Sequence, residues 1–115
     1  MDMNQCIQDC IQCHQVCIET INYCLQKGGK HAAAEHIRTL ADCAEICQTS
    51  ANFMLRKSDL HVRTCGVCAD VCDACASSCD QVGDESAMKR CADECRRCAE
   101  SCRQMSGSQP GTRAA

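Results

Sequence analysis

Residues 65–79 read Cys65-Gly66-Val67-Cys68-Ala69-Asp70-Val71-Cys72-Asp73-Ala74-Cys75-Ala76-Ser77-Ser78-Cys79. The cysteines are spaced by alternating steps of three and four, the a/d pattern of a heptad, so all five lie along one stripe of one α-helix. The same steps, or their sum of seven, recur within three further groups: Cys6, Cys10, Cys13, Cys17 and Cys24; Cys43 and Cys47; Cys91, Cys95, Cys98 and Cys102. Four stripes predict four helices.

Turn-forming residues fall between these groups. Gly28-Gly29 closes a first helix over about 4–27 and Ser58-Asp59 separates a second (about 31–57) from a third (about 59–81). Gly83-Asp84, followed by acidic Glu85, opens a fourth over about 85–105. Short connections make neighbours antiparallel, so the expected fold is all-α, an antiparallel up-down-up-down four-helix bundle with a Cys-lined core over residues 1–105. Residues 106–115, with the only proline of the chain, are expected as a flexible C-terminal tail.

Composition explains why the stripes must be the core. Of 115 residues, 16 are cysteine, while Leu, Ile, Val and Phe together also number only 16, too few for a conventional interior. A net charge of −3 does not favour an expanded chain either, so the cysteines, or something bound to them, fill the middle. With 12 basic against 15 acidic residues and two aromatics, there is no footprint for nucleic acid and no polybasic patch for a membrane. The N-terminus has no leader-like apolar stretch and no later run could span a bilayer, which predicts a cytoplasmic protein. In that compartment thiols stay reduced and read as metal ligands before they read as disulfides.

Extending each stripe adds His36, Leu40, Ser50 and Met54 to the second helix, His61 to the third, and Met88 and Met105 to the fourth. Side chains three or four apart on a helix have Cβ atoms about 5–6 Å apart. Two thiolates in line with a metal need sulfurs about 4.5 Å apart, so helical spacing suits two-coordinate binding along the stripe. Cu(I), a soft ion content with two or three thiolates, matches such a ladder, whereas Zn(II) wants four ligands in a tetrahedron. Bridging thiolates shared between coppers bring the buried charge towards zero, which sets a capacity of roughly 8 to 16 Cu(I) with the upper end favoured.

Other readings of the cysteines fit less well. As plain packing residues they would make a thin, oxidisable core with no advantage over Ala, Val or Leu. Disulfide scaffolds are loop-rich, and parallel side chains on one stripe cross-link poorly. Ferredoxin runs use C-x2-C-x2-C and end in Cys-Pro, unlike the gaps here. A zinc-buffering or redox-responsive thiol protein of metallothionein type stays open as the alternative. No Ser/His/Asp set, paired-carboxylate motif or phosphate-cradling loop points to an enzyme.

Four Cys-striped helices, with residues 65–75 and Cys91-Ala92-Asp93-Glu94-Cys95-Arg96-Arg97-Cys98-Ala99-Glu100-Ser101-Cys102-Arg103-Gln104-Met105, resemble the bacterial four-helix-bundle copper storage proteins over residues 4–105. The resemblance implies a bundle that fills with many Cu(I) ions and assembles as a homotetramer, of the cytosolic branch. It departs from His-rich members at residues 83–88, which hold no histidine.

The up-down arrangement gathers Met3, Phe53, Met54, Leu55, Leu60, His61 and Met105 at one end, an apolar plug. Cys24, Lys27, His31, His36, Cys79, Met88 and Cys91 gather at the other, the expected mouth, where His36 and Met88 join the sixteen cysteines as candidate ligands. His31 reads equally as a solvated cap residue and His14 as surface or interface. A second row on the first helix, Ile7, Ile11, His14, Ile18, Ile21 and Leu25, is expected to make a homo-oligomer contact, unless Ile46 and Phe53 of the second helix cover it.

Overall fold

The computed structural model describes residues 2–107. Helices α1 (Met3–Lys27), α2 (Ala34–Leu55), α3 (His61–Val82) and α4 (Ser86–Ser106) follow one another in an antiparallel bundle, with a 3-10 turn over Gly29–Ala32 between α1 and α2. The all-α four-helix reading of the sequence is therefore the observed fold.

The ends follow from local chemistry. The Asp2 side chain accepts from the Gln5 backbone N–H at 2.9 Å, an N-cap for α1. At its other end Gly28 (φ 76°) and Gly29 (φ 58°) take the left-handed conformations that let the chain turn back. The second helix starts at Ala34, three residues later than the spacing predicts, because Lys30 and His31 are drawn into the 3-10 turn that points His31 inward. Ser58 accepts from the N–H of Leu60 on its hydroxyl and from that of His61 on its carbonyl, so the expected cap operates as a turn and α3 begins two residues late. Ser106, expected in the tail, is the buried last residue of α4, and Gly107 (φ 73°) is its left-handed cap. The rest of the expected tail, 108–115, lies outside the described residues.

All sixteen cysteines are fully buried and unpaired by disulfides. Close approach of the helices comes from alanine: Ala44 and Ala51 on α2, Ala69 and Ala76 on α3, and Ala92 and Ala99 on α4 are each seven residues apart and buried. One small residue per heptad beside the inward thiol lets backbones approach until sulfurs of different helices touch. Leu40, Val16, Met54 and Met88 are the large side chains wholly inside.

Buried polar groups lock the register of α1 against α4. Asp9 accepts from Gln5 Nε2 at 3.0 Å and from the Ser101 hydroxyl, with both Asp9 and Ser101 buried. Ion pairs Arg96–Asp80 and Arg103–Asp73 join α4 to α3 on the solvent side, where each contributes little. Asp9→Ala leaves the Ser101 hydroxyl buried without its acceptor, so the reduced, metal-free protein should lose about 1–3 kcal/mol of stability, measured by urea unfolding followed by circular dichroism.

Candidate metal centre

The inward sulfurs form a continuous column. Cys6 and Cys10 of α1 lie 3.8 and 3.6 Å from Cys102 of α4, and Cys10 lies 3.6 Å from Cys98. Further along, Cys13 is 3.9 Å from both Cys43 and Cys95, and Cys17 is 4.0 Å from Cys95. On the other side Cys47 meets Cys68 and Cys72 at 3.7 Å, and Cys43 meets Cys72 at 3.6 Å. Contacts even cross the diagonal between α2 and α4, Cys43 to Cys95 at 3.9 Å and Cys47 to Cys98 at 3.8 Å, so the column is narrow enough for opposite helices to share it.

Quartets of thiols with all their sulfurs within 4.8 Å of one another run along the column: Cys10, Cys68, Cys98 and Cys102; Cys47, Cys68, Cys72 and Cys98; Cys13, Cys43, Cys47 and Cys72; Cys13, Cys17, Cys43 and Cys95; Cys17, Cys75, Cys91 and Cys95. Taken in that order, each shares two cysteines with the next. They form a chain of tetrahedra joined edge to edge along the bundle.

Sulfur contacts run across helices as well as along a stripe, where Cys68 and Cys72 of α3 lie 3.8 Å apart. The contacts of 3.6–4.0 Å fall mostly between different helices, while the quartets hold all their sulfurs within 4.8 Å, a range that also takes in the roughly 4.5 Å of a linear dithiolate. The shorter contacts match the edges of trigonal or tetrahedral thiolate sites, about 4.0 and 3.8 Å for a metal–sulfur bond near 2.3 Å. Adjacent thiols also govern one another's ionisation. S–H donation from Cys102 and Cys6 draws the Cys10 thiol down to about 6, and Cys102 and Cys6 likewise draw Cys65 down to about 3. The thiol of Cys6, facing Cys10, is pushed up in consequence.

The two ends differ. At the α1–α2 turn, His36 Nε2 is 3.5 Å from Cys24 Sγ, and its Nδ1 shares a 2.6 Å hydrogen bond with the Ser78 hydroxyl. Burial, helped by His31, lowers the His36 pKa against an opposing pull from Cys91. Burial also pushes the Cys24 thiol up to about 11, with repulsion from Cys91 and Glu85 adding to it. Met88 and Cys91 are fully buried at this end.

His31 is buried, not a solvated cap residue, and donates to Glu85 Oε2 at 2.7 Å; the Tyr23 hydroxyl donates to the same oxygen at 2.8 Å. The Glu85 backbone N–H and then Tyr23 hold the carboxyl down to about 2. Tyr23 was not foreseen. Its only sequence signal is its place one residue before Cys24, which turns it towards α4.

At the opposite end, Met54 Sδ is 3.8 Å from Cys65 Sγ, and Ser50 Oγ is 3.1 Å from the same sulfur. Met54 is buried, while Leu55 and Leu60 are more than half exposed and do not plug this end as expected. His61 donates to the Ser58 carbonyl at 2.7 Å and His14 to the Ala44 carbonyl at 2.7 Å. His14, half-buried, thereby joins α1 to α2.

Comparison with known proteins agrees with this site. A structure from Nitrosospira multiformis is 50% identical and superposes with a TM-score of 0.84, over 89% of this chain and 92% of that one. The Cu(I)-bound copper storage protein BsCsp3 is 34% identical with a TM-score of 0.83, over 90% of this chain and 96% of its own. A metal-free Csp3 from Bacillus subtilis is 33% identical with a TM-score of 0.83, over 91% and 99% of the two chains. YhjQ, a cysteine-rich protein of Bacillus subtilis, is 35% identical over 74 residues, 64% of this chain and 68% of its own. The model of the copper storage protein family, Csp, matches residues 1–107, and with its edge-sharing thiol column this chain belongs to that family.

Proposed function

We propose that the protein stores Cu(I) inside its own bundle, on the thiolates of all sixteen cysteines, with His36 and Met88 as further ligands at the α1–α2-turn end. The observation that carries the reading is the run of quartets sharing edges, because each shared thiolate can bridge two ions. Membership of a storage family and the likeness to a Cu(I)-bound structure support it. The same facts favour a reservoir over an enzyme, and sixteen unpaired thiols suit a reducing, cytoplasmic setting.

Charge separates copper from zinc. Each Cu(I) replaces one thiol proton and leaves the dry core neutral, whereas a Zn(II) bound by four thiolates leaves two negative charges unless neighbouring zincs share its ligands. The tetrahedral spacing of the quartets nevertheless fits Zn(II) sterically, and this keeps zinc buffering as the second reading. Anaerobic titration of the reduced protein should find roughly 8 to 16 Cu(I) per chain, near the upper end, and about half as many Zn(II) or fewer. Copper saturating at one or two equivalents, or zinc displacing bound copper, would overturn storage.

The row on α1 divides. Ile7 is buried and Ile11 and Ile21 pack against the core, while Ile18 (49%) and Leu25 (55%) stay exposed one heptad apart. We propose that these two lie in the contact of a homo-oligomer, a tetramer in keeping with the family resemblance. Ile18→Glu with Leu25→Glu should give monomers by sedimentation that keep their helicity and full copper capacity. A wild-type monomer at micromolar concentration would refute the contact.

A further inference from the structure

The end of the column nearest Cys24 has two faces towards solvent. The axial face is covered by the bridge from Tyr23 and His31 to Glu85, beneath which Cys24, Met88 and Cys91 are fully buried. A methyl group at Gly83 would collide with the Glu85 carboxylate and sit 3.3 Å from His31 Nε2, so the cover is tight. The lateral face is open: between the start of α2 and the end of α3 runs a groove of about 450 Å³. Lys30, Glu35, Thr39, Ser77 and Gln81 line it and His36 lies in it.

That volume falls in the range of small-molecule sites, about 300–1,000 Å³, and far exceeds what a bare ion needs. Soft Cu(I) strongly prefers thiolate ligands and travels among thiols as a complex. The walls combine an ammonium, a carboxylate, hydroxyls and an amide, a set complementary to a small zwitterionic or anionic peptide. The ring in the groove is the one that reaches a column sulfur, with Nδ1 on Ser78 and Nε2 on Cys24.

We propose that this groove docks a small peptide-thiol complex of Cu(I), and that His36 hands the copper to Cys24; the inference rests on the storage reading above. The carrier's copper–sulfur bond breaks as copper bonds to His36 Nε2 and Cys24 Sγ, and the Cys24 thiol proton leaves on the departing carrier thiolate. No electron is transferred. From Cys24 the copper passes towards Cys91 and Cys75, the column thiols whose charge Cys24 feels.

Two measurements test this. In the reduced, metal-free protein, S-methylglutathione, whose sulfur cannot become a thiolate, should shift the amide resonances of Lys30, Thr39, Ser77 and Gln81 and leave those around Met54 unmoved. In uptake kinetics with Cu(I) held by excess glutathione, Ala74→Trp and Ser77→Trp fill the groove from exposed positions of α3. Each should slow uptake about tenfold or more, with circular dichroism and final copper capacity unchanged. Tyr23→Phe with Glu85→Gln, which loosens the axial cover, should take up copper at the wild-type rate. Absence of the amide shifts at millimolar ligand, wild-type rates in both Trp variants, or faster uptake with the loosened cover would each overturn the groove as the port. Loss of multi-copper capacity in the wild type would instead overturn storage itself.

Discussion

Sixteen sulfurs must come within contact of one another while carried on four rigid helices, and that requirement shapes the rest of the molecule. A helix radius and a Leu side chain would hold opposing backbones about 8–10 Å apart and leave thiols short of meeting. Here the position beside the thiol is alanine once per heptad on α2, α3 and α4. The helices close until even the diagonal pair α2 and α4 shares sulfur contacts below 4 Å. The cost is a core poor in large apolar side chains, and the buried area that Leu or Ile would supply is missing. Part of the compensation is polar and specific: Asp9 with Ser101, His36 with Ser78, and His14 with the Ala44 carbonyl each tie one helix to another where an aliphatic contact would otherwise stand.

The stripes of cysteine declared the fold in the sequence, because a period near 3.5 has one structural meaning when repeated in four segments separated by Gly and Ser-Asp. The same stripes placed the sixteen buried thiols of the column. What they did not give was the contacts between sulfurs of different helices. Spacing within a helix is visible in a sequence, whereas spacing between helices depends on crossing distance, and that was set by Ala44, Ala51, Ala69, Ala76, Ala92 and Ala99, which the sulfur pattern draws attention away from. Close packing adds sulfur contacts across helices to those along each stripe.

The ends were less legible still. His31 and Glu85 are 54 residues apart, and Tyr23 and Glu85 are 62 apart, so no local pattern announces that they meet over the α1–α2-turn end. Ser58-Asp59 and Gly28-Gly29 marked the turns correctly but not their geometry, since the 3-10 turn that brings His31 inward depends on its partner in the loop before α4. Leu55 and Leu60 show the converse: apolar residues placed at an end by register are not thereby packed into it.

An interior of thiols also bears on how the proposed store could fill without refolding. Each buried thiol is neutral when protonated, and Cu(I) takes the place of one proton, so copper bound at a protonated thiol leaves the net charge of the column unchanged. No buried carboxylate or ammonium lines the quartets, whose members are all cysteine. The electrostatic work of filling therefore stays inside the column. The sulfurs already stand 3.6–4.0 Å apart, close to the edges that trigonal or tetrahedral thiolate sites need, so the required movements are a few tenths of an ångström and side-chain rotation can supply them. A helical shell held by alanine packing and by pairs such as Asp9–Ser101, both outside the column, is then free to stay as it is whether the column carries protons or metal.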